Sequence, residues 1–67
     1  MLKVNAGCAT CIFAGWVNLD HVDMSSYVQF LRTTRLAGLP KEQAELARRV
    51  QAAEAAGEKT DFRVYDL

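Results

Sequence analysis

Long apolar runs, excess charge and clusters of metal-binding side chains are all missing from this chain, and each absence removes a class of function. No stretch approaches the eighteen or so consecutive apolar residues that a membrane-spanning helix requires. Eight basic residues balance eight acidic ones, so no broad field attracts nucleic acid or an anionic membrane, and no acidic surface imitates nucleic acid. Histidine occurs once, tryptophan once, proline once and cysteine twice. One histidine cannot supply the second ligand pair of a strong zinc signature, and two cysteines cannot hold an iron–sulfur cluster without thiolates from another chain. Asn5-Ala6-Gly7-Cys8 imitates the processing site of a bacterial lipoprotein, but the residues before Cys8 include Lys3 and Asn5, where an export signal needs an apolar core of about 7–15 residues. The expectation is a cytoplasmic protein, with no persistent disulfide.

What is present is 67 residues of ordinary globular composition, 51% apolar and 24% charged. The chain reads as one domain, 1–67, with no repeat, low-complexity tract or linker, and its alanine- and arginine-rich usage is that of a small bacterial or phage protein. At this size folding buries only about 60% of the unfolded chain's surface. Such a core rarely supplies more than roughly 3–5 kcal/mol, so a metal, a disulfide or a partner subunit would each add substantially.

Leu2-Lys3-Val4 alternates as a short strand, and Asn5-Ala6-Gly7 offers turn chemistry. Thr10 to Leu19, TCIFAGWVNL, is rich in β-branched and aromatic residues and reads as a returning strand, although Cys8, Cys11, Ile12, Gly15, Trp16 and Leu19 also share a face at helical spacing. A helix is expected from about Ser26 to Ala37, opened by a Ser26/Gln29 capping box, closed at Gly38, with Tyr27, Phe30, Leu31 and Thr34 facing the core. Pro40 opens a second helix that ends at Gly57, with Leu46, Val50 and Ala53 as its apolar stripe beside Ala47. FRVYDL then reads as a terminal strand, Phe62 and Val64 on one face and Arg63, Tyr65 and Leu67 on the other. The expected fold is α+β: a small antiparallel sheet of about three strands packed against a helical hairpin, in ββααβ order.

Cys8 and Cys11 stand at C-x-x-C spacing, which serves a shared metal coordination sphere or a short redox loop. Zinc would require His21 and Asp20 or Asp23 to complete a set with Cys8 and Cys11, whereas a soft ion such as copper(I) is content with two thiolates. The run Leu2-Lys3-Val4, Gly7, Cys8 and Cys11 resembles the first strand and metal loop of the heavy-metal-binding ferredoxin-like domains, and AAGEKTDFRVYDL resembles their closing helix and strand. That resemblance implies metal binding at Cys8 and Cys11. It covers about a quarter of the chain, lacks the Met and Thr usual before the first cysteine, and meets helix in the middle where two strands belong. Thioredoxin-like chemistry requires a larger βαβ scaffold. The favoured reading of the pair is packing: both thiols are small apolar residues of a core, on opposite faces of a strand.

Arg32 and Arg35 lie three apart and would share a helix face suited to phosphate or to a partner's acidic groups, though a solvated helix face has the same appearance, as it does for Arg48-Arg49. His21 beside Asp20 and Asp23 has the elements of an oriented base, but no nucleophile accompanies it, so no enzyme is expected. Trp16 and Tyr65 are the candidates for a partner-binding surface, because a sheet covered on one face only leaves apolar residues outside. The leading reading is a small non-enzymatic module, an adaptor, regulator or inhibitor, that binds another protein or a second copy of itself, without cofactor. The alternatives are a zinc- or copper-binding module using Cys8, Cys11 and His21, and a nucleic-acid-binding regulator.

Overall fold

The computed structural model describes residues 3–65, in the order β1 (Val4–Ala6), β2 (Val17–Asp20), α1 (Ser25–Thr33), α2 (Lys41–Ala55) and β3 (Asp61–Val64). Leu2 and Leu67, expected in the terminal strands, lie outside the described residues. The strands form one sheet in the order β1-β2-β3, and both pairings are parallel, with Val4 beside Val17 and Val17 beside Asp61. This corrects the expected antiparallel sheet. Asn5-Ala6-Gly7 does not close a hairpin. The chain turns at Gly7, passes through Ala9 at φ +46°, and runs back over the sheet before entering β2 in the original direction. Residues 8–16 are irregular, so the strand expected from Thr10 to Leu19 begins only at Val17. They do the work of a crossover, a role usually filled by a helix because parallel neighbours cannot be joined by a tight turn.

The second crossover is helical, and its details differ from the capping expected. Ser26 lies inside α1 and makes no capping box; the helix opens after Met24, and Asp23 Oδ1 accepts from the backbone N–H and hydroxyl of Ser25 at 2.9 and 2.5 Å. It closes at Thr33, well before Gly38, because Thr34 is extended at ψ 152°. The end of α1 is capped from α2: the Gln51 amide donates to the carbonyls of Leu31 and Thr34 at 3.1 and 2.8 Å. The shortened helix turns Val28 and Leu31 inward with Tyr27 beside them and leaves Phe30 outside. α2 starts after Pro40 and ends as expected. Gly57 at φ +82° allows its own N–H to reach the Glu54 carbonyl and that of Glu58 to reach Ala53, at 3.0 and 2.8 Å, so two terminal carbonyls are satisfied.

The core consists of Cys8 and Ile12 from the irregular crossover, Val28 and Leu31 from α1, and Ala47 and Val50 from α2, with Phe62 and Leu46 packed against it. α1 packs on both α2 and β3, while the loop of residues 8–14 covers β1 and β2. Register partners Asn5, Asn18 and Phe62 point toward this layer. By strand alternation Val4, Ala6, Val17, Leu19, Asp61 and Arg63 occupy the opposite face. None of the four apolar ones belongs to the core.

Candidate functional site

Three buried polar side chains hold the irregular crossover, and they explain how it exists without regular hydrogen bonding. Asn18, at the centre of β2 and wholly buried, is the hub. Its Oδ1 accepts from the Phe13 N–H at 2.8 Å and the Asn5 amide at 3.0 Å, and its Nδ2 is shared among the carbonyls of Phe13, Trp16 and Asp61, each at 3.1 Å. The Asn5 amide also reaches the Cys11 carbonyl at 2.7 Å. Two residues on, Asp20 accepts from the N–H groups of Ala9 at 2.6 Å and Val22 at 3.1 Å. The Thr60 hydroxyl, wholly buried at the entry to β3, accepts from Gly15 N–H at 2.8 Å. Backbone groups turned away from a ladder must find partners elsewhere, and here side chains provide them. A methyl at Gly15, φ +78°, would meet Glu58 Oε2 at 3.2 Å, so this corner admits glycine alone without adjustment.

Asp20 titrates below the ordinary carboxylate range because the N–H groups of Val22 and Ala9 bind its charged form, with His21 adding to the effect. His21 Nδ1 sits 3.0 Å from Asp20 Oδ1 but is mostly solvent-facing. Cys8 lies in the core, and Cys11, three residues on, is exposed. The Cys11 N–H donates to the Cys8 carbonyl at 2.7 Å, closing a tight turn through the left-handed Ala9. Burial pushes the Cys8 thiol above its usual value, and the Asp20 carboxylate adds to the shift. It therefore holds its proton at neutral pH and is a poor nucleophile. Among the described residues no three His, Cys, Asp or Glu side chains are grouped to hold a metal ion.

The candidate partner residues are scattered. Arg32 is committed internally, its Nε 2.6 Å from Glu54 Oε1 on α2. Arg35 lies beyond the end of α1 and is exposed, so the two arginines share no helix face. Trp16 stands at the entrance to β2, half-buried, with its ring edge-on to Phe13 at 5.1 Å between centroids. Tyr65 stands past the far end of β3, its N–H on the Asp20 carbonyl at 3.1 Å. By register the two aromatics are five residues apart along the strands, roughly 16 Å, so they do not form one patch. What the sequence reading missed is the role of Asn18, Asp20 and Thr60 as a clamp. The available signal was Asn18-Leu19-Asp20, two polar residues at strand spacing on the face that should be apolar.

An open groove of about 450 Å³ runs between the crossover and α2, lined by Cys11, Phe13, Tyr27, Leu46 and Arg49 among others. No helix among the described residues is long and apolar enough to cross a membrane. No protein-family model, curated protein or solved structure shows a significant match to this chain.

Proposed function

We propose that this chain is a small non-enzymatic interaction module that binds another protein through the open face of its sheet. The observation that carries the reading is that Val4, Ala6, Val17 and Leu19 lie side by side on that face and outside the core, Val4 and Ala6 exposed and Val17 and Leu19 half-buried, with no described helix packed over them. Parallel sheets ordinarily have both faces covered. A parallel sheet with one apolar face left open is therefore a surface that a partner would complete. The charged groups there, Asp61 and Arg63, stand on β3 only, so the partner surface that fits is apolar in its middle and polar toward that side.

The face is small. Three strands about 4.8 Å apart and three to four residues long span on the order of 200 Å², against about 800 Å² per partner in a standard interface. Binding of this kind is weak and reversible unless the surface is enlarged. A photo-cross-linking residue placed at Leu19, and separately at Arg48 on the solvent side of α2, tests the reading in cells. A discrete protein adduct from position 19 and none from position 48 is expected; equal labelling from both positions, or none from position 19, removes the support.

A further inference from the structure

We infer that the β3 edge pairs with the β3 edge of a second copy of this chain, antiparallel about a two-fold axis through Phe62. This goes beyond the interaction reading above, because it concerns a different surface, the sheet edge, and a second copy of the chain. β3 is an edge strand, bonded on one side only to β2. The N–H groups of Asp61 and Tyr65 point inward, to the carbonyls of Trp16 and Asp20. Alternation therefore turns the N–H and C=O of Phe62 and Val64 outward, where an antiparallel neighbour would receive them.

The side chains select the register. With Phe62 opposite its own copy, Asp61 faces the second copy's Arg63, and Arg63 faces the second copy's Asp61. Both pairs fall at non-hydrogen-bonded positions, where facing side chains are closest. One symmetric alignment thus creates two opposite-charge pairs, as an isologous contact requires. Arg63 has no acidic partner among the described residues, and Asp61 has only Lys59 at 3.7 Å, a solvent-exposed pair that is easily exchanged.

Val64 on the edge strand and Phe30 on α1 are exposed apolar side chains. On α1, Phe30 lies 200° around the helix from Arg32, which bonds Glu54 of α2. Phe30 therefore points away from the Arg32–Glu54 contact and is 39% exposed, and Val64 on β3 is 50% exposed. A two-fold axis perpendicular to the sheet keeps both open faces on one side. Pairing would join them into a single six-stranded surface of roughly twice the area, which answers the size problem of the isolated face. The contact itself is smaller than the 1,200–2,000 Å² typical of stable complexes, so a weak dimer follows, forming across roughly 10–1,000 μM.

Sedimentation velocity over that range tests it, with circular dichroism and Trp16 fluorescence confirming the fold of each variant. Arg63→Asp places like charges opposite each other twice, and dimerisation should weaken at least about tenfold. Exchanging both residues, Asp61→Arg with Arg63→Asp, recreates the two pairs in reverse and should restore it. Val64→Pro removes an outward N–H without touching the β2 ladder and should leave a folded monomer. The inference is overturned by a wild-type chain that stays at 7.4 kDa at every concentration, by a dimer indifferent to Arg63→Asp, or by a double exchange no better than the single one. A dimer lost only on Leu19→Lys would place self-association on the open face instead and overturn it equally. Cross-linking from position 19 to a different protein is unaffected by any of these outcomes, so the two readings fail separately.

Discussion

Replacing Asn18 with alanine should nearly abolish the folded state, and the hydrogen bonds show why. Some groups keep a partner after the change. The Trp16 carbonyl retains the Asp61 N–H at 3.1 Å, the Phe13 carbonyl retains the Trp16 N–H at 3.2 Å, and the Asn5 amide retains the Cys11 carbonyl. The Phe13 N–H has only Asn18. One orphaned donor in a part-buried position costs about 1–3 kcal/mol, and the four remaining hydrogen bonds, partly replaced, add about 0.5 kcal/mol or more each. A total of about 3–5 kcal/mol is comparable to the whole stability of a domain this size. Urea unfolding followed by the fluorescence of Trp16, the single tryptophan, measures the loss directly. Asn18→Asp sharpens the test, because a carboxylate still accepts from Phe13 and Asn5 but cannot donate to three carbonyls. That variant should be unfolded at neutral pH and regain structure as acidification protonates the new carboxyl. A loss under about 1 kcal/mol for the alanine variant would show that the crossover is held by packing and that the clamp is incidental.

Three further outcomes follow from the same geometry. Gly15→Ala should destabilise by more than Gly57→Ala, by about 1 kcal/mol or more in thermal melts, since both sites have positive φ but only the methyl at 15 meets a neighbour. Iodoacetamide at neutral pH should label Cys11 alone in the folded protein and both cysteines in denaturant, read by mass spectrometry; rapid native labelling of Cys8 would contradict its burial. The raised Cys8 pKa means that the folded state holds its proton more tightly than the unfolded chain. Stability from this source is complete below the ordinary thiol value of about 8.5 and is lost as pH rises through the folded value. Denaturation midpoints should fall above that pH in the wild type and fall less in Cys8→Ala.

The helices were legible in the sequence where local chemistry decides them. Pro40 and Gly57 bracket α2 because each acts on backbone conformation at its own position. The end of α1 was not legible: Gln51 reaches it from another helix, a contact no local pattern carries. Strand direction was illegible for a deeper reason. Val4, Val17 and Val64 show the same alternation in a parallel or an antiparallel sheet, and only the path of residues 7–16 distinguishes them. That path depends on Asn5, Asn18, Asp20 and Thr60 converging from separate segments. The cysteine pair follows from it. Cys8 and Cys11 lie neither on a strand nor at a helix start but on either side of a turn, one thiol inside and one outside. The expectation of an apolar surface on a sheet covered on one side named Trp16 and Tyr65, which stand at opposite ends of the sheet, whereas the apolar residues that share the face away from the core are Val4, Ala6, Val17 and Leu19.

A sheet face left open for a partner differs from a covered one in the solvent accessibility of its methyl groups. A soluble paramagnetic probe added to dilute protein should broaden the methyl resonances of Val4, Val17 and Leu19 strongly while sparing Leu31 and Val50, which are fully buried. Val17 and Leu19 methyls protected to the same degree as Leu31 and Val50 would mean that the face is already covered, and the account would be wrong.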